Sequence, residues 1–410
     1  MLPKAVFDKS FLQGLNPNES LFFDKFFLSV LCPIFHVETL ADLAKAEREA
    51  RTREQEVGLI ADKTPELNVA ICANHQMISV NSFLGDEMPM DGRIPKAMGR
   101  EVRVHGKRGV VYEPSPEEQA YSRWQQRRFL EVERGFAKAW RDNLYPDASS
   151  IRAALEIMGV KSSECKNLGQ AKAMAEAFVA SPDAPQDRIN LAPFALGLSD
   201  HAEDLIYARW KEAGFPPLPT FAPYGAYVFT VAVFFHIAVV AKLLTDEHRM
   251  DMAYLYYLPF CDLFVSSDKA HRRCAELFMR ANQEFVWGQD LKANLKQIVE
   301  YYLTLPENAR EQGIYALAPV PPAQVERLVA ALYDRYAGSS WREQRDVGPP
   351  DQTNHPQLLE AIRELGNLPT ESADNVDPTE EVEMMRIDRF IRRKRGDFYQ
   401  VRKDMPNAPI

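Results

Sequence analysis

Three aspartates stand where a short apolar run ends or a helix should begin, and that placement is the first sign of chemistry in the chain. Residues 251–268 read Asp-Met-Ala-Tyr-Leu-Tyr-Tyr-Leu-Pro-Phe-Cys-Asp-Leu-Phe-Val-Ser-Ser-Asp. The pattern predicts a helix with Asp251 in its first turn, a break at Pro259, and a short buried strand over 263–265. Ser266, Ser267 and Asp268 then lie at that strand's C-terminal end. A parallel strand delivers its C-terminal residues to the crevice where open α/β sheets bind ligands. Ala5, Val6 and Phe7 form a second short apolar run, and it too ends in a carboxylate, Asp8. Parallel neighbouring strands would bring Asp8 and Asp268 together despite their separation in sequence. Convergence separates two roles: hard cations such as magnesium need several oxygen ligands around one point, whereas a helix-capping aspartate needs no other acid nearby.

The ordered set resembles the PIN-like superfamily of metal-dependent nucleases. In that family one acid follows the first strand, one lies on an early helix, one opens a late helix and one follows the next strand. Asp8, Glu38, Asp251 and Asp268 match that order, the last two 17 positions apart. Val265-Ser266-Ser267-Asp268 resembles the family's hydrophobic, Ser/Thr, any, Asp signature. Residues 29–43, which contain Cys32-Pro33 and Glu38-Thr39-Leu40-Ala41-Asp42, resemble its second strand and acid-bearing helix, with Asp42 one turn from Glu38 and able to substitute for it. The resemblance implies a parallel sheet flanked by helices and magnesium or manganese held by Asp8, Glu38, Asp251 and Asp268. It also implies hydrolysis of nucleic-acid phosphodiesters, with RNA the expected substrate, and a role for Ser266 in orienting an acid or a water. The alternative is a scaffold of the same kind that binds RNA or a protein without cutting.

These acids must be positioned by a folded core, and composition supplies one. The 410 residues are 46% hydrophobic and 26% charged, ordinary for a folded protein outside the membrane. Cys32, Cys72, Cys165, Cys261 and Cys274 are scattered without metal-ligand spacing, as expected in the reducing cytoplasm. The N-terminal residues lack a secretory pattern, so the chain is expected to start here. Phosphate-loop, nucleophile-elbow and HExxH motifs are absent from the sequence. Residues 225–241 are uncharged and long enough to approach a membrane span. Their place just before the Asp251 helix predicts a buried core helix instead, with His236 a satisfied core histidine.

The acids are separated by a long middle region. Residues 1–57 and 191–303 are read as a split α/β core, 58–190 as a mixed α+β insertion, and 304–410 as a helical extension with polar linkers. Within the insertion, residues 68–73 and 102–112 look like strands, the latter a hairpin turning at 106–109, followed by helices over 115–144 and 149–181. Arg93, Lys96, Arg100, Arg103, Lys107 and Arg108 fall within 16 positions, and Arg123, Trp124, Arg127 and Arg128 follow. Cations of this kind bind phosphate backbones, so Arg103, Lys107 and Arg108 are the candidate substrate contacts. Arg389, Arg392, Arg393, Lys394 and Arg395 suggest a short basic helix near the end, a second route to nucleic acid, a protein partner or a homodimer. The net charge of −9 argues against nonspecific nucleic-acid binding by the whole surface, but divalent ions at clustered carboxylates reverse the local sign.

Overall fold

The computed structural model describes residues 2–41, 43, 52–97, 99–104, 107–112, 114–135, 139, 148–181, 185–345, 382–386, 390–404 and 408–409. Its strands are β1 (Lys4–Phe7), β2 (Leu28–Leu31), β3 (Val69–Ile71), β4 (Gly99–Val104), β5 (Lys107–Tyr112), β6 (Leu263–Ser266) and β7 (Glu284–Trp287). Five of them form one parallel sheet in the order β3-β2-β1-β6-β7. These strands are short apolar runs, and all four residues of β6 are buried, as a sheet covered on both faces requires. The chain crosses from β1 toward β2 on one side and returns to β6 on the other, so the order reverses between β1 and β6. The crevice where such sheets bind ligands lies outside the carboxyl ends of that pair. Ala5, Val6 and Phe7 face Leu263, Phe264 and Val265 in register, which puts Asp8 and Ser266 at the same end of adjacent strands.

Local sequence explains the turns that enter each helix. Asp8 caps the helix Lys9–Gly14 through the Phe11 amide, and Asn16 with Glu19 forms a capping box at Pro17–Phe26, with Pro17 in the first turn. Gly288 opens the helix Gly288–Leu303 directly after β7. A Cβ there would collide with Ser267 Oγ and press on Phe11, so the glycine is what lets this helix approach the end of β6.

The apolar segment folds as the helix Pro223–Val240, with 72% of its span buried. It packs against the helices His75–Leu84 and Leu168–Ala180, and Gly225 lies so close to the Phe83 ring that a Cβ would stand 2.6 Å from it. Tyr224 and Tyr227 donate hydroxyl hydrogens to the Tyr256 and Leu255 carbonyls, which ties this core helix to the segment carrying Asp251. His236 is 1% exposed and burial pushes its imidazole down to about 3, but its buried Nδ1 has no hydrogen-bond partner among the described residues, so it is a core histidine that is not satisfied.

Three expectations are corrected. Residues 69–71 belong to the central sheet, paired with β2, so an insertion cannot begin at residue 58. The hairpin turns earlier than expected, since Gly109 lies within β5 opposite Val102. The C-terminal basic run is not a helix: Val382–Arg386 is a strand, β8, parallel to β5, and two-residue strands follow at Phe390–Ile391 (β9), Lys394–Arg395 (β10) and Phe398–Tyr399 (β11). The helical part of the extension, Leu328–Tyr336, is anchored by Tyr333, whose hydroxyl donates to the Phe26 carbonyl. Asp42, Arg389 and residues 44–51 lie outside the described residues.

Candidate functional site

The site is built from the carboxyl end of β1. Asp8 is 3% exposed, and both its oxygens are engaged. Oδ1 accepts the Phe11 amide at 2.9 Å, while Oδ2 accepts hydroxyl hydrogens from Ser10 and Ser266, each at 2.7 Å. His271 Nδ1 stands 3.4 Å from the same Oδ2. Burial pushes the Asp8 carboxyl up, but the His271, Ser10 and Phe11 contacts outweigh it and hold the group below the usual carboxylate range.

Ser266 and Asp268 come from the end of the neighbouring strand. Ser266 is fully buried; besides donating to Asp8, its Oγ accepts the Asp268 amide at 2.9 Å and sits 2.8 Å from His271 Nδ1. Asp268 Oδ1 accepts the Ala270 and His271 amides and so caps the helix Lys269–Phe278. Asp8 and Asp268 therefore both cap helices.

Asp251 lies in the first turn of the helix Arg249–Tyr254, where His248 occupies the cap position, so its carboxylate makes no cap. Burial raises its pKa; His271 opposes this, and the charges of Asp268 and Asp8 add to the rise. Glu38 rides on the helix Pro33–Ala41 after β2, and Tyr254 donates to its Oε2 at 2.6 Å. Burial pushes the Glu38 carboxyl up to about 7; Tyr254 and Lys9 pull it down while Asp8 and Asp251 push it further up. Glu38 therefore feels the charges of Asp8 and Asp251, and Asp251 those of Asp268 and Asp8. Their side chains are spread around the crevice: among the described residues no three carboxylate, imidazole or thiolate groups close on a single point.

Neither protein-family models, nor curated proteins, nor solved structures give a match to this chain.

Three residues outside the acid set complete the arrangement. His271 is fully buried. Its Nε2 lies 2.7 Å from the Asp251 carbonyl, so the ring bridges Asp8, Ser266 and Asp251. Burial pushes the imidazole down, but Asp8, with Asp251 behind it, more than reverses this and raises it to about 9. The spacing Asp268-Lys-Ala-His271 was the available signal, because a residue three after a helix cap returns to the cap's face. Lys9, 1% exposed, donates to the Glu38 carbonyl, and Tyr254 is buried against it. Nothing local in the sequence marks these two.

The proposed substrate contacts divide. Arg103 pairs with Arg108 across the hairpin, and Val104 with Lys107, which fixes their backbone positions near the turn. Trp124 is fully buried and its indole donates to Glu133, so it offers no face to a base. Arg123 is bonded to Glu133, Arg127 to Asp62 and Arg93 to Asp91. Arg392 and Arg395 are likewise taken up by Asp62, Glu66 and Asp24. These two arginines are therefore removed from the candidate nucleic-acid contacts.

Proposed function

We propose that the chain is a divalent-metal-dependent nuclease of the PIN-like kind, acting on the phosphodiester bonds of RNA. One observation supports this reading above others: Asp8 and Asp268 lie at the carboxyl ends of β1 and β6, and Glu38 and Asp251 are raised by burial, with a smaller push from the neighbouring acids. Such unbalanced negative charge in a crevice is what a divalent cation would neutralise. The donor chemistry suits the ion, since hard cations take oxygen and the acids supply carboxylate oxygens, although among the described residues no three of them close on one point. Asp8, Glu38, Asp251 and Asp268 would hold it. When bound, magnesium or manganese lowers the pKa of a water and stabilises a leaving oxygen.

The chain's own residues have separate tasks. Ser266, Ser10 and the Phe11 amide fix the Asp8 carboxylate in one orientation. His271 holds Asp8 and the Asp251 backbone at once, so the strand end and the late helix keep their spacing. Glu38, with a pKa of about 7, can hold or release a proton near neutral pH, and the Tyr254 hydroxyl fixes one of its oxygens.

The engagement of Asp8 by His271 and the dispersed placement of the acids favour a second reading, a scaffold of this fold that binds nucleic acid or a protein without cleavage. The two readings part in one assay. Single-stranded RNA and DNA incubated with the purified chain should be cut in magnesium or manganese, not in chelator, and not by Asp8→Asn or Asp268→Asn. Intact substrate under every metal condition, or equal cutting by the two variants, would overturn the nuclease reading.

A further inference from the structure

Four tryptophans fall within the described residues, and one differs from the rest. Trp124, Trp210 and Trp341 are at most 2% exposed, and each indole N–H donates to an internal acceptor, Glu133, the Pro216 carbonyl and Asp334 respectively. Trp287 is partly exposed at the end of β7, and its indole N–H has no partner among the described residues. A buried tryptophan normally finds a partner for that hydrogen; the Trp287 ring packs against Phe285 and under Arg272 with its N–H left over.

Its position relates it to the acids. Trp287 pairs with Ser266 across β6 and β7, so it stands level with the serine that holds Asp8, one strand away. Arg272, four residues after Asp268 and so on the same helix face, is exposed and lies 5.1 Å from the centre of the Trp287 ring. A groove of about 430 Å³ starts at Trp287 and follows β7, the edge strand among the described residues, lined also by Glu284, Phe285, Asp290, Asn294, Gln297 and Arg327. Asn294 is 4% exposed, and its amide nitrogen has no acceptor although its oxygen takes the Val329 amide. A second groove of similar volume, lined by Lys172, Tyr227 and Phe278, sits at the other end of the helix Lys269–Phe278, remote from Asp268, and carries no such relation to the acids.

From these we infer that Trp287 and Arg272 form a stacking subsite for an unpaired base of single-stranded nucleic acid, with Arg272 drawing the adjacent phosphate and the groove receiving the continuing strand. The inference rests on the nuclease reading, because it places a strand across the acid crevice, but it concerns binding and is separable from cleavage. A planar aromatic beside a guanidinium suits every base face, so the subsite discriminates unpaired from paired bases rather than one sequence from another.

The test measures binding of labelled, unstructured RNA to the full chain in chelator, by fluorescence anisotropy, with DNA of the same sequence and the corresponding duplex as comparisons. Trp287→Ala should weaken single-strand binding by about tenfold or more, Trp287→Phe should keep most of it, and Trp287→Leu should behave as Ala although it preserves apolar bulk. Arg272→Gln should flatten the dependence of log affinity on log salt by about 0.7. Duplex should bind more weakly than either single strand. Should Trp287→Ala and Trp287→Leu bind as the parent does, or duplex bind best, the stack is only a cover for the sheet edge and the inference falls. Parent-like cleavage by Trp287→Ala would leave the nuclease reading intact without this subsite. Single-strand binding that needs Trp287, with no cleavage in any metal, would leave the subsite and remove the nuclease reading.

Discussion

Two acidic clusters flank the first turns of this fold, and they differ in who neutralises them. Around Asp24, fully buried, the chain supplies every partner: the amides of Glu66, Leu67 and Asn68 donate to its carboxylate, and Arg395 lies 3.2 Å away. Glu66 receives Arg392, Arg395 and Gln400, and Asp62 receives Arg392 and Arg127. The C-terminal arginines have thus been recruited as internal counter-ions across more than 300 positions of sequence. Around Asp8 the described cationic groups are His271, Lys9 and His248 against four acids, and burial leaves the carboxyls of Glu38 and Asp251 elevated. Clustered carboxylates alone therefore say little about function. The difference between an acid cluster that is closed by the chain's own cations and one that is left short of them is what points to a site.

The largest expected effect lies in the closed cluster. Arg395→Met leaves Asp24 and Glu66 buried with less compensation, and removal of one partner from a buried ion pair costs about 3–5 kcal/mol. Calorimetry should show a deep fall in melting temperature; a parent-like melt would mean that the two clusters are not different in kind.

Divalent ions should act on the open cluster alone. Manganese should raise the melting temperature, by about 2.7 kcal/mol of stability when free metal is a hundredfold above its dissociation constant. Asp8→Asn should lose that increment and Arg395→Met should keep it. An increment that survives Asp8→Asn would place the ion elsewhere.

Asp268 separates capping from charge. Asn caps nearly as well as Asp, so Asp268→Asn should melt like the parent without metal, while Asp268→Ala should lose about 1 kcal/mol. Equal melting of both variants would remove the cap from the account.

The smallest effect is a pH slope. Glu38 titrates near 4.5 when unfolded and near 7 in the fold, so between those values the native protein holds a proton that the unfolded chain has released. Stability should fall as pH rises through that window. Glu38→Gln should match the parent at pH 4 and exceed it at pH 8. His271 acts in the same direction at higher pH. Its folded pKa of about 9 lies above the usual 6.5, so its contribution is complete below 6.5 and fades as pH rises through 9. Thermal melts across pH 4–10 without metal check both; a Glu38→Gln curve parallel to the parent's would contradict the first.

Much of this was legible in the chain because it is local. Asp8 after Ala5-Val6-Phe7, and Asp268 after Leu263-Phe264-Val265, announce strand ends through short apolar runs. Both caps follow from an aspartate meeting a helix start, and a long uncharged segment just ahead of the Asp251 helix reads as core. None of those features depends on a distant residue. What only the tertiary structure decided is pairing at a distance. The sequence does not show that Val69–Ile71 joins the sheet beside β2, because a three-residue strand has too little period to assign. Nor does it mark Arg392 and Arg395 as internal counter-ions for acids more than 300 positions earlier, since a basic run reads the same whether it faces water or a buried carboxylate. His271 shows the division most plainly. Its own neighbours describe an ordinary helix position, and its role comes entirely from three groups, Asp8, Ser266 and the Asp251 carbonyl, that the parallel pairing of β1 with β6 and the packing of the helix Arg249–Tyr254 bring to one ring.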